Sequence, residues 1–244
     1  MTQSLREKTI PGLHESLIRC LPPPDTDGAV LDIGCGTGAW LDRLFGHGYR
    51  NLYGIDAELS QVGSANAQFL QANLEADEIH LDARKFQLIT AIEVVEHIEN
   101  TGRLFSLVAS HLADDGFFLL TTPNVHSLHS RLRFLLKGEL QFFDGKADET
   151  HVTPIVLTGL ERMLARHGLR IRRSWSFPEH GGSIASRKSL RLVSKMLALV
   201  FPNPIPGDIL CVLIEKSSRR ESLASPVKDP QRRDCASCSE GRYP

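Results

Sequence analysis

Three stretches of the chain carry residues whose types and spacing can do chemistry. The first is Leu31-Asp32-Ile33-Gly34-Cys35-Gly36-Thr37-Gly38. Glycines at alternate positions let the backbone turn with φ > 0 and bring a ligand against the main chain. A helix predicted to start directly after them offers free N–H groups and a partial positive charge. The third glycine arrives one position too early for the G-x-G-x-x-G loop of dinucleotide enzymes, and Asp32 precedes the first glycine by two. The second stretch ends at Asp56, about twenty residues downstream, where a carboxylate can accept hydrogen bonds from both hydroxyls of a ribose. That placement suits any adenosine cofactor and does not choose among them. Asn73, closing the next apolar run, either meets an adenine edge or makes a plain turn. Cys35 reads as a small residue of the loop rather than a nucleophile.

The third stretch is Glu93-Val94-Val95-Glu96-His97. If the chain turns there, two carboxylates and an imidazole converge, a donor set that suits Mg²⁺, Mn²⁺ or Zn²⁺. Without a metal His97 can serve as a base, since its ordinary pKa is about 6.5. The same residues also fit a plainer account, with Glu96 and Glu99 as solvated acids at a helix start and His97 packed against the fold. His126 and His129, which flank Ser127, are further candidate ligands but read first as polar surface residues.

The elements that must position these groups follow from the apolar pattern. Residues 29–34, 51–56, 68–73, 87–93 and 117–122 are short apolar runs, separated by stretches in which apolar residues recur at helical spacing. Trp40, Leu41, Leu44 and Phe45 mark one helix, and Leu104, Leu107, Val108 and Leu112 another, which the turn Asp114-Asp115-Gly116 ends. Strand, helix, strand at this rhythm predicts right-handed βαβ units, hence an α/β fold with a parallel sheet covered on both faces. Further on, the pattern predicts a helix from about Ile155 to His167, stopped by Gly168, then strands over 169–177 and 208–216. Residues 1–24 read as an N-terminal helical cap, 25–216 as one domain with insertions at 125–150 and 178–206, and 217–244 as a disordered tail. The lone Cys235-x-x-Cys238 in that tail lacks the second pair a zinc site needs.

Composition excludes several classes. Lys+Arg 28 against Asp+Glu 29 leaves a net charge of −1, which rules out a histone-like or polybasic binder. A spanning helix needs about 18 consecutive apolar residues, and no such run occurs. The first residues carry no apolar signal core, and five scattered cysteines make no disulfide framework. A reduced, cytoplasmic protein is the expectation.

Asp32-Ile33-Gly34-Cys35-Gly36-Thr37-Gly38 resembles the first motif of class I S-adenosylmethionine-dependent methyltransferases. Ile55-Asp56 is similar to their ribose motif, and the run from Phe117 to Asn124 to their fifth-strand region. The resemblance covers about residues 25–216. It implies a Rossmann-like, doubly wound, mostly parallel sheet of seven strands with the last one antiparallel. It also implies S-adenosyl-L-methionine as cofactor, with Asp32 near its methionine end, the loop Gly34, Cys35, Gly36 and Gly38 beneath it, Asp56 on the ribose, and Asn73 and Glu93 lining the same site. Glu-x-x-Glu-His further resembles the segment after the fourth strand in the ubiquinone-biosynthesis O-methyltransferase group and in small-RNA 2′-O-methyltransferases. Both groups associate that segment with a divalent metal. Glu149-Thr150-His151 looks like the quinone group's Thr-His segment. By that resemblance Glu93, Glu96, His97 and His151 hold Mg²⁺ or another divalent cation, and His97 and Glu96 carry the catalysis.

The expected activity is therefore O-methylation of a small or lipid-linked hydroxylated acceptor, such as a phenol, a quinone precursor or a sugar. RNA 2′-O-methylation is the first rival, disfavoured because binding phosphates recruits clustered Lys and Arg. A non-catalytic cofactor-binding protein is the second. A nicotinamide oxidoreductase is disfavoured by the glycine spacing. Arg131, Arg133 and Lys137 interleave with Leu132, Phe134, Leu135 and Leu136, and residues 187–201 form a second basic amphipathic stretch. Such helices either lie in a lipid interface as peripheral membrane contacts or cover the sheet with their apolar sides.

Overall fold

The computed structural model describes residues 5, 7–21, 23, 27–178 and 205–217. Seven strands form one sheet: β1 (Ala29–Ile33), β2 (Asn51–Asp56), β3 (Gln68–Gln71), β4 (Phe86–Ile92), β5 (Leu112–Pro123), β6 (Leu169–Phe177) and β7 (Ile209–Lys216). Their spatial order is β3-β2-β1-β4-β5-β7-β6. β3 through β5 run parallel, and β7 is antiparallel to both its neighbours, as the resemblance implied.

The inner strands are mostly apolar because both faces are covered. In β1, Val30 packs on one side with Leu13, Leu17, Trp40 and Leu44, from α1 (Leu13–Cys20) and α2 (Ala39–Gly46). Its neighbour Leu31 faces the other way, toward Phe105 of α3 (Thr101–His111) and Leu160 of α5 (Leu157–Arg166). The same alternation puts Leu88 and Leu119 on the first side and Ile89 and Leu120 on the second.

Strand order reverses direction at β1, with β2 on one side and β4 on the other. In open α/β sheets ligands sit outside the carboxyl ends of the strands at such a switch point. Those ends carry Ile33, Asp56 and Ile92, one step before or at the residues singled out in the sequence.

One local expectation changes. Asp114-Asp115-Gly116 does not end the helix: α3 stops at His111, and β5 already begins at Leu112, paired with Phe86, and resumes with Phe117 opposite Leu88. The intervening residues bulge out past Gln87, and Gly116 is needed there because a Cβ would lie 2.9 Å from the Phe86 carbonyl oxygen. The predicted helix at 187–201 lies outside the described residues, as does the tail beyond Ser217.

Two further elements bear on the site. α4 (Leu128–Lys137) opens with a Ser127 cap, whose hydroxyl accepts from the Ser130 N–H at 3.1 Å. The stretch between β6 and β7 is pinned at its roots, where the Asp208 N–H reaches the Phe177 carbonyl at 2.8 Å. There the Asn124 amide also donates to the carbonyls of Ile205, Pro206 and Gly207 at 3.0, 3.1 and 2.9 Å.

Candidate active site

The glycine loop does what its spacing predicts. Gly34 and Gly36 hold φ of 72° and 53°. The N–H groups of Gly34 and Cys35 both donate to the Ile55 carbonyl, at 2.7 and 3.0 Å, so the turn is stitched to β2. A Cβ on Gly34 would lie 2.5 Å from Val94 Cγ2, so the loop also packs against the chain leaving β4. Asp56 organises the turn from the next strand: its Oδ2 accepts from the Gly36 N–H at 2.7 Å and its Oδ1 from the Glu58 N–H at 3.1 Å.

Asp32 is buried beside this loop and accepts from the Thr90 hydroxyl at 2.6 Å, while Trp40 Nε1 donates to the same hydroxyl at 3.2 Å. Burial pushes its carboxyl from an ordinary 3.8 up to about 7, against the pull of the Thr90 bond. The folded state therefore keeps a proton that the unfolded chain has lost. That contribution to stability is full below about 4 and is lost as pH rises through about 7, by on the order of 4 kcal/mol. Asp32→Asn, which keeps the acceptor for Thr90, is expected to remove this part of the decline in urea-unfolding free energy between those limits. A decline as steep as the parent's would contradict it.

These groups line a cavity of about 810 Å³ at the carboxyl edge of the sheet. A shallower depression of about 400 Å³ lies at the opposite edge, around Asp27, Arg84 and Gln87, with none of the singled-out residues in it. Asp32, Gly34, Cys35, Gly36, Asp56, Asn73 and Glu93 line the large cavity, as do His97 and His151, which are 54 residues apart. Asn73 is exposed and its side-chain oxygen is committed to a turn, accepting from the Glu75 N–H at 2.9 Å. Gly38 is the loop residue that does not line the cavity; it sits as the left-handed residue just before α2.

The acidic–histidine cluster closes, but with three members. Ligand atoms of Glu96, His97 and His151 lie within 4.8 Å of one another. The rings of His97 and His151 meet edge to face at 4.7 Å. Backbone bonds bring the distant loop in: the N–H groups of Val152 and Thr153 both donate to the Glu96 carbonyl at 2.9 Å, and the Thr153 hydroxyl to the Ile98 carbonyl at 2.7 Å. Glu93, expected as a fourth ligand, is not among them. It leaves β4 in a left-handed conformation, φ 55°, and its Oε1 accepts from the Thr121 hydroxyl at 2.9 Å. The same hydroxyl takes the Glu93 N–H at 3.0 Å, so Thr121 holds this strained residue in the cavity wall.

Glu96 is the anomaly of the fold. It is fully buried, and neither carboxylate oxygen has a hydrogen-bond partner of regular geometry, although the Thr122 hydroxyl lies close enough to temper its pKa. Burial first, and the charge of Glu93 second, raise that pKa well above the usual carboxylate range. Burial likewise pushes Glu93 up to about 7 and lowers His97, the latter helped by His151.

His126 is not a surface residue: its Nε2 accepts the Leu157 N–H at 3.0 Å and caps α5. His129 keeps a buried Nδ1 without a partner. Sequence reasoning missed Thr121, and it missed Lys8, Thr9, Ile10, Pro11 and His14, which wall the cavity from the N-terminal side. Nothing in their spacing marks them.

A family profile described as a methyltransferase domain matches residues 5–174. The chain belongs to the methyltransferase domain family. Among curated relatives, the ubiquinone biosynthesis O-methyltransferase of Rickettsia conorii is 30% identical over 105 residues, covering 39% of this chain and 35% of that protein. The protein of that name from Coxiella burnetii is 30% identical over 102 residues, covering 39% and 43%. This methyltransferase domain thus spans less than half the length of those relatives. Among solved structures, S-adenosylmethionine-dependent methyltransferases from Mesorhizobium loti and Archaeoglobus fulgidus share its fold, with TM-scores of 0.54 and 0.57 at 21% and 19% identity. Each covers 83% of this chain, which in turn covers 96% and 92% of theirs.

Proposed function

We propose that this domain transfers the methyl group of S-adenosyl-L-methionine to an oxygen of a small or lipid-linked hydroxylated acceptor, a phenol or a sugar. One observation carries the reading. The cavity lined by the glycine loop and Asp56 is also lined by His97 and His151, and the buried, unpaired Glu96 carboxylate behind that wall lies within 4.8 Å of their ligand atoms. In this reading Asp56 receives the ribose hydroxyls, Gly34 and Gly36 bring the backbone against the cofactor, and Asp32 and Glu93 face its methionine end.

Methyl transfer is an in-line displacement, so the chain's task is to place the acceptor oxygen and take its proton. The O–H proton passes to His97 or Glu96, the oxygen lone pair forms the new O–CH₃ bond, and the S–CH₃ bond breaks to leave a neutral thioether. Glu96, His97 and His151 also fit a divalent cation, because a positive ion answers the orphaned Glu96 oxygens with one hard and two imidazole donors. Such an ion, when bound, lowers the pKa of a hydroxyl at the site.

The test combines calorimetry and transfer. The full chain is expected to bind S-adenosylhomocysteine and not NAD, and to label phenolic or sugar acceptors, but not RNA, with radioactive methyl groups. No heat with either sulfur nucleoside would end the reading, and RNA labelling would move it to 2′-O-methylation.

The lipid-linked choice of acceptor draws support from α4. Phe134, Leu135 and Leu136 are 56%, 74% and 78% exposed, and Arg131 and Lys137 flank them. The loop after α4 supplies Phe142, Asp148 and His151 to the cavity wall. No helix among the described residues is long and apolar enough to cross a membrane, so a peripheral contact is the form this would take. The protein is expected to pellet with anionic phospholipid vesicles, and Leu135→Asp with Leu136→Asp to leave it in the supernatant. Parent protein that stays in the supernatant refutes the contact.

A further inference from the structure

A neutral imidazole carries one proton on two nitrogens, and the partner of one nitrogen decides whether the other keeps a lone pair. At His151 the partner of Nδ1 is the Phe142 carbonyl oxygen, 2.7 Å away. A carbonyl only accepts, so Nδ1 carries the proton and Nε2 the lone pair. Phe142 itself sits in the left-handed region, φ 68°, a second strained residue lining the cavity beside Glu93.

At His97 the partner of Nδ1 is the Thr150 hydroxyl, 2.6 Å away. A hydroxyl can donate or accept, so this contact alone leaves the tautomer open. Asp148 decides it. Its Oδ1 accepts from the Thr150 hydroxyl at 2.6 Å and from the Thr150 N–H at 3.0 Å. A carboxylate exposed to water is ionised at neutral pH and has no proton to give. With its one proton directed to Asp148, the Thr150 oxygen is left to accept, and His97 Nδ1 must donate to it.

We propose that Thr150, backed by Asp148, is a positioning residue that fixes His97 as its Nδ1–H tautomer, so that His97 and His151 both offer an Nε2 lone pair to the Glu96 cluster. The two histidines reach this state by different routes, one through a backbone carbonyl and one through a carboxylate–hydroxyl relay. The loop from Phe142 to His151 supplies both, and the amides of Val152 and Thr153 tie it to Glu96. A base or a ligand at this edge needs that lone pair whichever acceptor is present. The inference rests on reading the cluster as the acceptor end of the cavity.

The relay can be read without turnover. In the full chain labelled with ¹⁵N-histidine, two-bond ¹⁵N–¹H correlations above the titration of the ring report which nitrogen is protonated, and His97→Gln assigns the signal. The parent is expected to show Nδ1–H at His97. Thr150→Val, which cannot accept, shifts the ring toward Nε2–H, the form free imidazole side chains prefer, and Thr150→Ser restores Nδ1–H. Asp148→Ala, which frees the hydroxyl to donate, gives a mixture. Methyl transfer falls roughly 10- to 100-fold in Thr150→Val with the cofactor KM unchanged, and recovers in Thr150→Ser. A parent with Nε2–H at His97, or a Thr150→Val ring that keeps Nδ1–H, overturns the proposal. If the tautomer responds as described in a chain that binds no sulfur nucleoside, the relay stands and the proposed function falls.

Discussion

Glu96→Gln is expected to remove methyl transfer while making the fold more stable. The variant keeps the size of the side chain and gives up its ability to take a proton or hold a cation. General-base catalysis contributes roughly 10²- to 10⁴-fold, and the rate loss should fall in that range. The stability gain has a separate origin. Burial and the neighbouring Glu93 raise the folded-state pKa of Glu96, so the folded chain holds its proton longer than the unfolded chain, whose value is near 4.5. Stability from this group is therefore full below 4.5 and declines as pH rises toward the raised value. In chelator-treated protein the variant should unfold at higher urea than the parent at pH 7, and at about the same urea near pH 4. Unchanged transfer with the true acceptor would remove Glu96 from the chemistry; an unstabilised variant at neutral pH would mean that the parent satisfies the carboxylate.

Gly34→Ala is expected to lose most of the cofactor affinity. The position holds φ 72°, and a Cβ there would lie 2.5 Å from Val94 Cγ2. The left-handed conformation costs an L-residue about 1–2 kcal/mol, and forcing a methyl group into a packed site typically about 1–3 more. If the loop relaxes by moving, the whole sum appears as weaker binding, roughly 30- to several-thousand-fold at about 1.4 kcal/mol per factor of ten. Calorimetry with S-adenosylhomocysteine reads it directly. Adding Val94→Ala should recover the part due to collision and leave the part due to backbone strain. Gly145→Ala is the control, since a Cβ there meets nothing within 4 Å. Equal affinity for parent and Gly34→Ala would show that the ligand does not depend on the shape of this turn.

Much of the fold was legible because a parallel sheet covered on both faces writes its strands as short, mostly apolar runs. Residues 29–33, 51–56 and 86–92 lie where those runs lie. The glycine loop was legible because alternating φ > 0 positions leave a direct trace in residue type. The cluster was only partly legible. Glu93 and Glu96 are three residues apart, yet one left-handed step after β4 turns Glu93 to Thr121 while Glu96 goes inward. Thr121 was hidden because it reads as one more strand residue, and His126 because a ring that caps a helix 31 residues away has no local signature. Asp114–Gly116 misled because a bulge and a turn demand the same residue types. His151 was reached through likeness to a known segment, since chain spacing says nothing about which loops the Glu96 carbonyl will gather.

The two roots of the stretch between β6 and β7 meet through the Asp208–Phe177 bond and the three carbonyls held by Asn124. Because exit and re-entry are fastened to each other, the chain between them is thermodynamically a loop already closed. Lengthening such a loop adds only about 0.6 kcal/mol per doubling. That seam is accordingly where this scaffold tolerates a change in the length of the connection while β7 keeps its register with β5.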